Sequence, residues 1–131
     1  MNTNKESKPA TFRDLLVWQK GMGLSLAAIK LTASFPKTDD TGLGDRIRRA
    51  AVDVPATLAD GHARHSPAEF LQAVAAAAGF AAALETLIRL AVELRLCVSA
   101  EATPVIELSN EERRILFGLR RSIQGRADSG R

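Results

Sequence analysis

The sequence predicts an all-α protein, an antiparallel up-down-up-down four-helix bundle, on three observations. Its apolar residues are mostly Ala and Leu, the strongest helix formers, while Tyr is absent and aromatics make up only 5% of the chain. Apolar positions recur at helical steps of three and four, and no alternating run bounded by turn residues argues for a strand. Four such stretches are joined by short connections, which fold neighbouring helices back on one another. With 131 residues, 46% hydrophobic and 25% charged, the chain is one domain able to bury a core without staples.

Residues 1–11 read as a disordered polar lead, 12–124 as the bundle and 125–131 as a disordered tail. Thr11 with Asp14 three positions on is a capping-box variant that opens a helix over 12–34. Its inward stripe is expected to be Phe12, Leu15, Met22, Leu26, Ile29 and Ala33, with Gln19 the one polar member, and Phe35-Pro36 ends it. A second helix over 41–62 places Leu43, Ile47, Ala50, Ala51, Val54 and Leu58 on one face. Pro55 should kink it and Gly61 should stop it. Ser66-Pro67-Ala68-Glu69 is the strongest start signal in the chain and opens a third helix reaching Val98.

That third helix has two apolar seams. One is Phe70, Val74, Ala77, Ala81, Leu84, Ile88 and Ala91; the other is Phe80, Ala83, Leu87, Leu90 and Leu94. Two seams require burial on more than one side, so the helix is either central or shared with another subunit. The small residues Ala73, Ala75, Ala76, Ala78, Gly79 and Ala82 add to this apolar area, and a homo-oligomer is expected. Residues 99–108, with Pro104, read as a connection. Ser109-Asn110-Glu111-Glu112 then caps a last helix to Gln124, with Leu116, Leu119 and Ile123 inward and Arg120 and Arg121 complementing the helix dipole.

The polar start MNTNKESKPA is unlike a signal peptide, and the apolar run 70–84 is broken by Gln72 and reads as too short to span a bilayer. The single Cys97 reads as a small core residue in a reducing compartment. A cytoplasmic protein without membrane contact is the expectation.

No catalytic site and no cofactor is expected. His62 and His65, near Asp60 and Glu69, could hold a metal on spacing alone, but they fall at a helix–helix turn and read as solvated histidines. Gly21-Met22-Gly23 and Gly42-Leu43-Gly44 lack the rest of a nucleotide loop, and Ser25, Ser34, Ser99 and Cys97 have no base in reach. The most suggestive polar feature is the basic cluster Arg46, Arg48 and Arg49, with Arg64 at the far end of the same helix. Arg46 and Arg49 share a face, and Arg49 is placed to pair with Asp53. A solvated, partly self-neutralised face explains one copy of the cluster as well as phosphate binding does; repetition in an oligomer favours binding.

Phe12-Arg13-Asp14-Leu15-Leu16-Val17-Trp18-Gln19-Lys20, then Phe35-Pro36, Gly42-Leu43, RIRRAAVDVPATLADG over 46–61, and Ser66-Pro67-Ala68-Glu69-Phe70 closely resemble the proteins encoded in 23S rRNA intervening sequences. That four-helix-bundle family includes the accessory variability protein of diversity-generating retroelements, and the resemblance covers residues 12–123. It implies a homopentameric, barrel-like ring. For the retroelement branch it also implies a basic surface that engages nucleic acid and a reverse transcriptase. This chain departs from the family pattern at Asp53, Thr57 and Asp60, and at Phe80 and Ala83, where polar residues that could link the second and third helices are replaced.

The expected function is therefore a non-enzymatic homo-oligomer whose Arg46, Arg48, Arg49 and Arg64 contact RNA or DNA phosphates without reading bases, since no motif of stacking aromatics is visible. The alternative is a structural or protein-interaction scaffold with no nucleic-acid role.

Overall fold

The computed structural model describes residues 11–129, with side chains through residue 126. The expected lead thus falls, apart from Thr11, outside the described residues. Four helices, α1 (Leu16–Thr32), α2 (Leu43–Ala63), α3 (Pro67–Glu93) and α4 (Ser99–Ser129), form a bundle, with no strand among the described residues. Each helix packs on its sequence neighbours and α1 closes against α4, so α1 and α3 lie on one diagonal and α2 and α4 on the other.

Helix α2 follows its sequence closely. All six residues of its expected stripe are buried, because its polar and apolar faces are cleanly segregated. Gly61 does not stop it. A Cβ there would stand 2.2 Å from the Cβ of Ala73, so the glycine lets α3 approach, and the helix runs two residues further. In α3, Ser66 accepts from the Glu69 amide at 3.3 Å, and the first seam is buried except for half-buried Phe70. The second seam is mostly outside: Leu87 is buried, but Leu90 and Leu94 are 46% and 53% exposed. By length and composition α3 could cross a bilayer, contrary to the reading of 70–84 as too short; here its first seam lies in the bundle core.

Other expectations fail for identifiable reasons. Helix α1 begins later, because Leu15 is extended (ψ 129°) and the Thr11–Asp14 box caps only a 3-10 turn, Phe12–Asp14. It is also rotated. Val17, Gly21, Leu24, Ser25, Ala28, Leu31 and Thr32 are buried, while Met22, Leu26 and Ile29 of the expected stripe are exposed. A helix apolar on several sides gives no unique inward face, and the stripe of smaller residues permits the closer approach.

Helix α3 stops five residues early. Arg95 adopts a left-handed conformation (φ 61°), the Leu96 amide donates to the Ala91 carbonyl and the Arg95 amide to that of Val92. This is the Schellman ending, made with arginine where glycine is usual.

The expected connection over 99–108 is instead the start of α4. The Glu101 carboxylate accepts from the Val98 amide at 3.3 Å, and exposed Pro104 costs only one early hydrogen bond. Ser109 and Glu112 are consequently not a cap but buried mid-helix residues, and α4 continues past Gln124 to Ser129.

The core has two halves. Leu24, Ala28, Ile47, Leu84, Ile88, Cys97 and Val105 belong to one; Val17, Val54, Leu58, Val74, Leu116 and Ile123 belong to the other. Between them runs a polar layer. Pro55 cannot donate to the Ala51 carbonyl, and the buried Ser25 hydroxyl of α1 donates to that oxygen instead. Ser109 donates to the Ala81 carbonyl at 2.8 Å, tying α4 to α3. Glu112 completes the layer with both carboxyl oxygens buried and unpartnered. Gly21 faces it so closely that a Cβ there would stand 3.0 Å from Oε2.

Candidate nucleic-acid interface

The fold separates the four arginines singled out by the sequence. Arg46, Arg48 and Arg49 occupy the first turns of α2, which Gly42 precedes and the Thr41 hydroxyl helps to cap by accepting from the Leu43 amide at 3.1 Å. Arg64 lies beyond the other end, 18 residues and about 27 Å from Arg46. Arg48 is half-buried. It pairs with Asp45 and donates to the Thr32 hydroxyl at 3.0 Å, so it clamps α2 to the end of α1. Arg64 bridges Asp60 at 3.2 Å and Glu69 at 3.3 Å across the α2–α3 turn. The hydrogen-bonded Asp60 carboxylate first, then Glu69, hold its guanidinium pKa above the ordinary value.

Arg46 and Arg49 remain exposed, and among the described residues no acid lies within 4.0 Å of either. The expected Arg49–Asp53 pair is not formed. Asp60 is engaged by Arg64, which takes it from any site with His62 and His65. The two imidazole centroids stand 6.4 Å apart, and His62 packs edge-on against Phe70. Among the described residues no three His, Cys, Asp or Glu side chains come together as metal ligands.

A second basic surface, on α4, was not found from the sequence. Asn110, Arg113, Arg114, Phe117 and Arg121 line one open groove. Arg113 is held by Glu85 at 2.6 Å and by Asn110. Arg114, Arg120 and Arg121 are exposed with no acid within 4.0 Å among the described residues. The signal was present as an arginine at every helical neighbour of Phe117: three and four residues before it and three and four after.

Among the described residues, the buried carboxyl of Glu112 is the one strongly perturbed group. Burial, and secondarily the Glu111 charge, push its pKa up to about 8, against a small opposing pull from Lys20. Lys20 is itself paired with Glu111 at 3.5 Å and reaches neither Glu112 oxygen.

Residues 13–118 match the model of the 23S rRNA-intervening sequence protein family. The chain belongs to that family. Comparison with curated proteins gives no match. Among solved structures the chain is similar to a protein of unknown function from the S23 ribosomal protein family of Bacteroides thetaiotaomicron. The two are 15% identical, with a TM-score of 0.73 over 79% of this chain and 97% of that one. At that identity the likeness speaks for the fold alone. Of the departures from the family pattern, Phe80 packs against the half-core around Val54 and Leu116, whereas Ala83 faces outward.

Proposed function

We propose that this chain is a non-catalytic, self-associating bundle that holds RNA or DNA through its phosphates. The observation that carries the reading is the pair Arg46 and Arg49, exposed together on α2 with no acid within 4.0 Å among the described residues. Arg48 and Arg64 are then less available to a ligand, since acids already engage both.

Self-association is supported by where the uncovered apolar residues lie. Met22, Leu26 and Ile29 expose a stripe on α1, and Leu90 and Leu94 expose one on α3, the helix diagonal to it. Two different faces on opposite sides join copies head to tail, and such contacts close into a ring when the rotation allows. A homopentameric ring, as the family resemblance implies, would repeat Arg46 and Arg49 around its circumference and strengthen a field that one copy makes weakly.

The test is a fluorescence-anisotropy titration of structured RNA and duplex DNA across a salt series, alongside sedimentation. Affinity that falls steeply with salt, and a shallower salt slope in the Arg46→Ala/Arg49→Ala variant, are expected. An oligomer that binds neither nucleic acid at low salt would sink the reading and leave a protein-interaction scaffold, which the ion-paired Arg48 and Arg64 and the apolar faces favour.

A further inference from the structure

Phe117 is the most exposed large hydrophobic side chain among the described residues, at 61%. Its setting differs from that of every other exposed apolar residue. Arg113, Arg114, Arg120 and Arg121 stand at the four adjoining positions on the helix surface, and residues 113–127 hold five arginines and no acid. Arg113 is held back by Glu85, leaving Arg114, Arg120 and Arg121 facing solvent around the ring. Gly118 adds no side chain beside it, and the space over that residue is open.

The surroundings decide what such a ring can receive. The stripes on α1 and α3 have apolar neighbours and suit another copy of the bundle. An apolar partner lowered onto Phe117 would strip water from several guanidiniums with nothing to replace it, which is unfavourable. A single nucleic-acid strand offers both complements at once: a base with a π-face for the ring and phosphates for the arginines beside it. Arg114 and Arg121 are seven residues apart, about 10 Å along the axis, with Phe117 between them. A duplex cannot answer in the same way, because its bases are already stacked on one another.

We propose that Phe117 is a stacking platform for an unpaired base of single-stranded RNA or DNA, with Arg114 and Arg121 holding the adjoining phosphates. Stacking of this kind tolerates any base, so it adds preference for single strands without reading sequence. It rests on the nucleic-acid reading above but uses a different surface, beside the other half of the core from Arg46 and Arg49.

The experiment titrates a fluorescein-labelled, mixed-sequence RNA of about a dozen nucleotides, a length within the usual site sizes for single strands, alone and annealed to its complement. The full chain is compared with Phe117→Leu, with Arg114→Ala/Arg121→Ala and with Arg46→Ala/Arg49→Ala. Wild type should prefer the single strand. Phe117→Leu keeps bulk but removes the π-face, and should weaken single-strand binding about tenfold while leaving the salt slope and duplex affinity unchanged. Arg114→Ala/Arg121→Ala should flatten the single-strand salt slope by about 1.4.

Single-strand affinity unchanged in Phe117→Leu, or an equal loss for both probes, overturns the stacking proposal. A smaller oligomer by sedimentation overturns it too, since Phe117 would then be a contact between copies. If the Arg46→Ala/Arg49→Ala variant alone loses binding, the phosphate-binding reading stands without Phe117. If wild type binds neither probe at low salt, both fall.

Discussion

Raising the pH should destabilise this bundle through one side chain, Glu112. Its folded carboxyl keeps a proton to about pH 8, whereas an ordinary glutamate loses it near 4.5. Between those values the unfolded chain binds fewer protons than the folded one, so stability falls as pH rises and levels off above the folded pKa. The difference of some three and a half units corresponds to about 5 kcal/mol across the window, a slope near 1.4 kcal/mol per pH unit. Lys20 on α1 and Glu111 on α4 are the charged groups that act on it, and Gly21, Val54 and Pro55 line the space around it. Glu112→Gln keeps the shape and removes the titration. Urea unfolding followed by circular dichroism should find the variant close to wild type near pH 5 and more stable by about 3–5 kcal/mol near pH 8.5. Every other titrating group is common to both proteins and cancels in the difference. Parallel stability curves for the two proteins would refute a neutral, buried Glu112.

Other perturbations test other joints of the fold. Ser25→Ala removes the donor that replaces the missing Pro55 amide at the Ala51 carbonyl; it should cost about 1–3 kcal/mol, read as a lower urea midpoint at unchanged m-value. Gly61→Ala forces a methyl against Ala73 and should destabilise by about 1–3 kcal/mol, with Ala73→Gly restoring part of the loss in the double variant. Leu90→Asp/Leu94→Asp puts charge on the uncovered α3 stripe; sedimentation should report a smaller species with helix content intact, and an unchanged assembly would show that this stripe joins no copies. Arg64→Ala breaks only exposed ion pairs, and thermal melting should find a midpoint indistinguishable from that of wild type.

The sequence was most legible where one helix had one apolar face. The α2 stripe and the first α3 seam were read directly, because burial on a single side imposes a single period. The inward face of α1 was not, since Met22, Leu26 and Ile29 form as good a stripe as the one that is buried. The α3–α4 turn left no mark, because its left-handed residue is Arg95 and not glycine. Ser109 and Glu112 carried a strong local cap signal that only the neighbouring helices overrule, with Ala81 accepting from one and Gly21 making room for the other. At the candidate interface, Arg64's partners at Asp60 and Glu69 lay at legible spacings, while Arg48's bond to Thr32 depends on how α1 meets α2. The arginines around Phe117 stand at legible helical spacings, but the helix dipole accounts for Arg120 and Arg121 in a last turn without any surface role.

The polar layer across the core gives each end of the bundle its own apolar cluster. Arg46 and Arg49 stand over the cluster of Leu43, Ile47 and Ala50; Phe117 and Arg121 stand over that of Leu116 and Ile123. Buried apolar contact makes neighbouring residues open and close together, and a layer without it is where such a unit ends. A ligand stabilises only those states that keep its own site intact. A strand bound at Phe117 therefore slows amide hydrogen exchange in the flanking half and leaves the far half to breathe as before, and a ligand on Arg46 and Arg49 does the reverse.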